Sequence, residues 1–125
     1  MTQKKLPFNK EKIIEIMGTY PTPFHIYDEA GIRGNARNFK QAFSVLPGFK
    51  EYFAVKALPN PFILRILKEE GFGVDCSSHP ELLLAEKIGL QGEEIMFTSN
   101  DTPENEYVKA KELGAIINLD DISHI

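Results

Sequence analysis

The sequence predicts an α/β fold built from parallel strand and helix units. From Pro23 onward, short apolar runs alternate with longer segments whose apolar residues recur at helical spacing. Glycine, proline or a capping residue separates each unit from the next. The apolar runs are continuous, which is typical of parallel strands buried on both faces and joined by right-handed crossovers.

A short helix and the first predicted strand open the chain. The segment NKEKIIEIMG has Asn9 as a cap, an apolar side, and Gly18 where it can end in a left-handed turn. The segment PTPFHIYD, residues 21–28, then predicts the first strand. Three residues are expected at its centre: Phe24, Ile26 and Tyr27.

The helix after this strand is predicted from apolar spacing. Asp28 can cap it, and Pro47 and Gly48 close it. Gly31 and Gly34 weaken it by about 1 kcal/mol each. Six apolar residues lie at helical spacing: Ile32, Ala36, Phe39, Ala42, Phe43 and Leu46.

Two units with similar helix starts follow. Residues 52–55 predict the second strand, and Asn60 with Pro61 predicts a capped helix with proline at its first position. Residues 72–76 predict the third strand. The segment SHPE, residues 78–81, reads as a capping box with proline in the first helical turn.

The last two predicted strands complete the series. Residues 94–98 predict the fourth strand, and residues 115–119 predict the fifth. Asp101 or Thr102 is expected to cap the helix between them, with Pro103 in its first turn. The segment DDISHI then stands where another helix is expected to begin.

Two architectures fit this order of elements. One is an open, doubly wound sheet of five strands, and the other is the first part of an eight-stranded (β/α)8, TIM-like barrel, which takes about 250 residues. Nothing after the fifth strand covers it, so the sequence favours the barrel. We therefore assign residues 1–22 to an N-terminal helix and lead-in, and residues 23–125 to a partial barrel domain.

Composition argues against several classes of function. The net charge is -4 and the pI about 5.4, which argues against a nucleic-acid-binding face. No apolar segment approaches the roughly 20 residues of a membrane span, and no secretory signal is expected from the N-terminus. A single cysteine cannot form an internal disulfide, and these features together predict a cytoplasmic protein.

Lys56 is the strongest candidate functional residue. It directly follows the apolar run YFAV at the carboxyl end of the second strand, in the face that holds active sites in both architectures. Desolvation there favours a neutral amine, which can form a Schiff base with an aldehyde. A lysine that reaches into solvent, or pairs with Asp75 at the end of the third strand, remains open as a structural explanation.

Other chemistry has little support. His25, His79, His124 and Cys76 do not have metal-ligand spacing, so no metal site is predicted. The sequence contains neither GxGxxG nor a P-loop, so nucleotide binding by those devices is not expected.

The segment YFAVKALPNP resembles the lysine motif of the pyridoxal-phosphate decarboxylases with an alanine-racemase-like barrel. That family includes the diaminopimelate, ornithine, arginine and carboxynorspermidine decarboxylases. PTPFHIYDE resembles its first barrel strand, most closely that of diaminopimelate decarboxylases. Three later segments also resemble the family in the right order: GFGVDCSSHPELLLAEKIG, EIMFTSNDTPENEY and ELGAIINLDDISHI.

The resemblance implies roles for three residues and a cofactor, pyridoxal 5'-phosphate. Lys56 would form the Schiff base, Ala54 would lie under the cofactor ring, and Asp75 would help set the protonation of the cofactor and lysine. Glu81 also matches the family, but the capping box explains it without any chemistry. The chain departs from the family pattern in two places. His79 and Pro80 stand between Ser78 and Glu81, where the family often has small glycines, and Thr102 stands in the fourth unit, where the family often has a lysine.

The resemblance further implies an N-terminal fragment of an amino-acid decarboxylase, with the second half of the barrel and a β-domain absent. Diaminopimelate decarboxylase, an enzyme of lysine biosynthesis, is the favoured parent, and a polyamine-pathway decarboxylase is the alternative. The parent is expected to act on a small amino acid as a homodimer. The fragment is expected to be inactive alone and to self-associate. A non-catalytic pyridoxal-phosphate-binding barrel, an alanine racemase and a cofactor-free interaction domain remain as other interpretations.

Overall fold

The computed structural model describes residues 6–124 and shows helices on a small parallel sheet. The helices are α1 (Lys10–Thr19), α2 (Glu29–Ala42), α3 (Pro61–Glu69), α4 (His79–Lys87) and α5 (Glu104–Glu112). The strands are β1 (Tyr52–Ala54), β2 (Gly73–Cys76), β3 (Ile95–Thr98) and β4 (Ile116–Asn118). Short 3₁₀ helices span Val55–Ala57, Gly92–Glu94 and Ile122–His124.

The four strands form one sheet in the order β1-β2-β3-β4, and all three pairings are parallel. Each strand after β1 is therefore reached through a helix that crosses back along the sheet. This arrangement confirms the predicted class of parallel β/α units.

The sheet has one buried face and one open face. The buried face and the helices packed on it form the main core, which includes Val55, Val74, Cys76, Ile95, Phe97, Leu64, Leu82, Ala85 and Ala110. In-register neighbours point to the same side of a sheet, and successive residues alternate between sides. The row Ala54, Asp75 and Met96 therefore lies on the opposite face, where all three are half-buried. We call this opposite side the open face.

Local sequence signals explain where the helices begin and end. The Asn9 side chain accepts a hydrogen bond from the Lys12 amide at 2.9 Å, and Asn60 accepts one from the Phe62 amide at 3.0 Å. Both asparagines thereby satisfy amides that have no partner inside the helix. Three helices end in a glycine with positive φ: Gly71, Gly89 and Gly114.

The predicted first strand is not formed. Residues 21–28 contain no strand, and Ile26 and Tyr27 at its expected centre are exposed, so four of the five predicted strands are present in the described residues. Pro21 and Pro23 have no amide hydrogen to donate to a ladder, and β1 is paired with β2 alone in the described sheet. His25, in the same segment, is also exposed.

Two other helix predictions were wrong in detail. Helix α2 ends at Ala42, because the Ser44 hydroxyl and amide both bond the Gln41 carbonyl and close a turn there. Phe43 and Leu46 therefore lie outside the helix. Neither of the two predicted caps of α5 is used, since Pro103 directly precedes the helix and makes no side-chain cap.

Charged side chains join α2 to α3. Arg33 contacts Glu29, Glu69 and Glu70, and Arg37 makes two further bonds to Glu70, both at 2.8 Å. Hydrogen bonds and charge from Arg37 and Arg33 hold the pKa of Glu70 at about 2, below its ordinary value of 4.5. This pairing fixes α2 beside the sheet next to β1.

Candidate active site

Lys56 lies at the carboxyl-end rim of the sheet, in the 3₁₀ helix Val55–Ala57 that directly follows β1. Its neighbour Val55 is completely buried in the main core, whereas Lys56 is exposed. The buried Val55 side chain packs against the helices at the end of β1, and the exposed Lys56 side chain can reach the rim.

Ala54 and Asp75 are paired neighbours on β1 and β2, so both side chains lie on the open face beside Lys56. Asp75 is half-buried, and its Oδ1 is buried without a hydrogen-bond partner among residues 6–124. Most buried polar atoms have a partner, so one without a protein partner calls for an explanation such as a bound water, an ion or a catalytic role. Ala54 places only a methyl group beside this carboxyl.

Opposing influences act on the Asp75 carboxyl. Burial, the largest of them, raises its pKa, and the negative charge of Glu81 adds to that effect. A side-chain hydrogen-bond interaction with Thr98 and the positive charge of Lys56 both lower it. The net result is a raised pKa, because desolvation penalises the charged form more than these two partners favour it.

Glu81 organises the loop between β2 and α4. Its carboxylate accepts hydrogen bonds from the Ser77 amide and the Ser78 hydroxyl, both at 3.0 Å. The predicted capping box is therefore wrong in its details, because Ser78 donates to Glu81 and does not cap the helix itself. The sequence indicated that the two residues interact, but not the direction of the bond.

The start of α4 receives a second carboxylate that the sequence did not indicate. Glu106 on α5 accepts a hydrogen bond from the His79 amide at 2.8 Å, which satisfies one of the free amides of that helix end. His79 is half-buried rather than fully exposed. A contact between residues that lie 27 positions apart has no local sequence signal.

The other candidate groups do not form a reactive site. Burial, with smaller contributions from Glu81 and Asp75, raises the pKa of the Cys76 thiol to about 12, so the reactive thiolate is disfavoured. The described residues hold no cluster of His, Cys, Asp or Glu that could bind a metal ion. None of the helices in residues 6–124 is long and apolar enough to cross a bilayer. The His124 side chain lies outside the described part of the structure.

An apolar cavity of about 370 Å³ lies apart from this rim, between α2, α3 and the outer edge of β1. Phe39, Phe53, Ile63 and Phe72 are among the residues that line it, whereas Lys56, Asp75 and Thr98 are not. The cavity therefore does not contribute to the candidate site.

Comparison with known proteins assigns the family. The family model described as "Pyridoxal-dependent decarboxylase, pyridoxal binding domain" matches residues 29–125. The chain belongs to this family. The predicted cofactor is thereby confirmed as pyridoxal 5'-phosphate, which is consistent with an amine and a carboxyl at the mouth of a parallel sheet.

Several relatives are similar along most of this chain. It is 54% identical to Protein TabA of Pseudomonas amygdali pv. tabaci over 87% of this chain and 26% of that protein. It is 35% identical to the diaminopimelate decarboxylase of Methanothermobacter thermautotrophicus over 90% of this chain and 26% of that enzyme. Another relative is the ornithine decarboxylase of Nicotiana glauca, at 26% identity. The chain thus spans about a quarter of the length of the curated relatives it matches.

A solved structure shares the fold. The crystal structure of diaminopimelate decarboxylase from M. jannaschi superposes with a TM-score of 0.84 at 28% identity, covering 89% of this chain and 27% of that one. The parallel units of this chain thus correspond to the N-terminal part of a pyridoxal-phosphate decarboxylase, as the barrel interpretation predicts.

The residues of the rim fit the cofactor of this family. The cofactor carries an aldehyde, which requires an accessible amine, and Lys56 is exposed at the rim. It also carries a ring that needs an adjacent space, and Ala54 places only a methyl group on the open face beside Asp75. The half-buried Asp75 carboxyl lies next to Ala54 in the sheet and provides an acceptor on the same face.

Proposed function

We propose that this chain is the N-terminal part of a pyridoxal-phosphate-dependent amino-acid decarboxylase in which Lys56 attaches the cofactor. The observation that carries the proposal is the juxtaposition of an exposed amine, a small side chain and a half-buried carboxyl at one edge of a pyridoxal-binding domain. Ala54 and Asp75 complete the proposed cofactor contacts.

Each residue has a distinct task in this proposal. Lys56 would supply the amine that holds the aldehyde of the cofactor, and a lysine amine at this position could also take or give a proton. Ala54 leaves space for the ring. The Asp75 carboxyl has a raised pKa and feels the charge of Lys56. This carboxyl can therefore exchange a proton with groups at the carboxyl-end rim of the sheet. The bound cofactor supplies the electron sink that decarboxylation of an amino acid requires.

Diaminopimelate is the substrate we favour. The PTPFHIYDE resemblance supports it, as do several relatives named diaminopimelate decarboxylase at 31–38% identity. Such an enzyme would act in lysine biosynthesis. Ornithine, arginine or carboxynorspermidine is the alternative substrate class, which the ornithine decarboxylase relative supports.

We further propose that the parent enzyme is a cytoplasmic homodimer with residues 23–125 in its barrel domain and residues 1–22 as a lead-in. Helix α1 has no buried residue, and Ile14 and Met17 on it are more than half exposed. The open face of the sheet is also only half-buried. Apolar surface of this kind marks contact with other protein surface, so the 125-residue chain should self-associate.

The site is tested by trapping the cofactor on the protein. The chain is incubated with pyridoxal phosphate and borohydride, digested, and analysed by mass spectrometry for lysines that carry a reduced pyridoxyl-phosphate group. We expect the label on Lys56 and its loss in Lys56→Ala. Lys87→Ala, which changes an exposed lysine in the last turn of α4, is the matched control and should keep the label.

A label on other lysines, undiminished in Lys56→Ala, would show that the assignment is wrong. The reaction itself is tested by release of CO2 from diaminopimelate and from ornithine by the full-length parent. The 125 residues alone should give no turnover, and appreciable turnover would contradict their assignment as a fragment of the active site.

A further inference from the structure

We propose that Thr98 is a positioning residue, whose hydroxyl orients the Asp75 carboxyl toward the Lys56 amine. This inference rests on the proposed function, because it assigns a purpose to the pairing of Asp75 with Lys56. Thr98 itself is not expected to touch the cofactor or the substrate.

The strand register places Thr98 where this contact requires it. Asp75 on β2 is paired with Met96 on β3, and Thr98 is two residues further toward the carboxyl end of β3. Because side chains alternate along a strand, Thr98 and Met96 lie on the same open face as Asp75. The Thr98 side chain is therefore the diagonal neighbour of Asp75 toward the carboxyl ends of the strands, and Lys56 follows β1 on the other side of β2.

The groups around Asp75 leave Thr98 as its one hydroxyl partner among the contacts that set its protonation. Ala54 and Met96, its two in-register neighbours, carry no hydrogen-bond donor in their side chains. The charged groups that act on Asp75 are Lys56, from the turn after β1, and Glu81, from α4. The Ser77 and Ser78 hydroxyls both bond Glu81.

This arrangement has a clear electrostatic consequence. Burial and Glu81 favour the neutral carboxyl, whereas Thr98 and Lys56 favour the carboxylate. The hydroxyl on the strand next to Asp75 lowers the pKa of the carboxyl, while the buried Oδ1 has no hydrogen-bond partner among the described residues. In this proposal the Thr98 hydroxyl donates to the Asp75 carboxyl and fixes its orientation, and the carboxylate that Thr98 and Lys56 favour can accept a proton.

Two substitutions separate orientation from packing. Thr98→Val keeps the shape and removes the donor, and Thr98→Ser keeps the donor. In the cofactor-free 125-residue chain, the ionisation of Asp75 is followed by carbon-13 NMR of its carboxyl. We expect the Asp75 midpoint to shift to higher pH in Thr98→Val and to stay near that of the unsubstituted chain in Thr98→Ser. Thr19→Val, the same change at the end of α1, should leave the midpoint unchanged.

An unshifted midpoint in folded Thr98→Val, or an equal shift in Thr98→Ser, would overturn the proposal. If Thr98→Val does not fold, the unsubstituted chain still tests whether Thr98 contacts Asp75. The Cβ resonance of Thr98 should titrate with the midpoint of Asp75, and its failure to do so would contradict the contact.

The two proposals can fail separately. Borohydride trapping reports whether Lys56 carries the cofactor, and the Asp75 titration needs no cofactor at all. A shifted midpoint without trapping on Lys56 removes the proposed function and keeps the Thr98 contact, although the contact then serves no cofactor site. Trapping on Lys56 with an unshifted midpoint removes only the role of Thr98.

Discussion

Replacement of Gly73 by alanine tests how closely the strands of the sheet approach one another. Gly73 is the first residue of β2, where an added Cβ would lie 2.7 Å from the Glu94 carbonyl oxygen and 2.7 Å from Cδ1 of the Tyr52 ring. Both distances are too short for a real methyl group. The carbonyl belongs to the backbone, so it cannot turn away as a flexible side chain can.

The cost follows from what has to move. The Tyr52 ring is held by a 2.7 Å hydrogen bond from its hydroxyl to the Glu93 carbonyl, and a shift of the ring would weaken that bond. Overpacking of this kind costs about 1–3 kcal/mol. Alanine lowers the entropy of the unfolded chain and returns about 0.4–1 kcal/mol of that cost. The midpoints of these two ranges leave Gly73→Ala less stable than the unsubstituted chain by about 1.3 kcal/mol.

Urea denaturation followed by circular dichroism measures the effect, and Gly34→Ala is the matched control. Gly34 lies inside α2, and an added Cβ there meets nothing within 4 Å, so alanine should stabilise the chain by about 0.5–1 kcal/mol. In a Tyr52→Ala background, Gly73→Ala should cost less, because only the carbonyl clash remains. Equal or greater stability of Gly73→Ala would show that the close contact between the strands is wrong.

Two further predictions concern pH and association. As pH falls from 4.5 to about 2, the chain should lose the stability that comes from Glu70, because its folded-state pKa is lowered and its charged form is the one that the arginines bind. Acid titration of the unfolding midpoint should show this slope, and Glu70→Gln should reduce it; Glu15→Gln, which alters an exposed pair within α1, should not. Sedimentation of the 125-residue chain should show dimers or larger species that dissociate on dilution, and a monodisperse monomer at high concentration would contradict the expected self-association.

The sequence was sufficient for the parts of the fold that depend on local signals. Residues 52–55 and 72–76 predicted strands because each is a short apolar run between signals that end one helix and begin the next. Strands β1 and β2 lie within these two ranges. The approach of Lys56 to Asp75 followed from one rule, since parallel strands bring their carboxyl ends to the same edge. Once residues 52–55 and 72–76 are taken as neighbouring strands, this rule places Lys56 and Asp75 at the same edge of the sheet.

The remaining features depend on partners that are distant along the chain. Residues 21–28 have strand-like composition, but a strand needs a neighbour, and two prolines leave little to pair with the edge of β1. The interaction of Thr98 with Asp75 depends on a register that places Met96 opposite Asp75, and a shift of one residue would turn Thr98 to the helix side. No local pattern in the sequence specifies that register.

The energetic cost of Asp75 is itself an argument for a site. A buried polar atom without a partner costs about 1–3 kcal/mol, and a hydrophobic residue in this row would avoid that cost. The chain instead places near it one donor, Thr98, and one cation, Lys56, and leaves Oδ1 without a partner. A structural carboxyl would be fully bonded, as Glu70 is by two arginines. The contrast between these two carboxyls in one small domain supports the proposal that Asp75 contacts the cofactor.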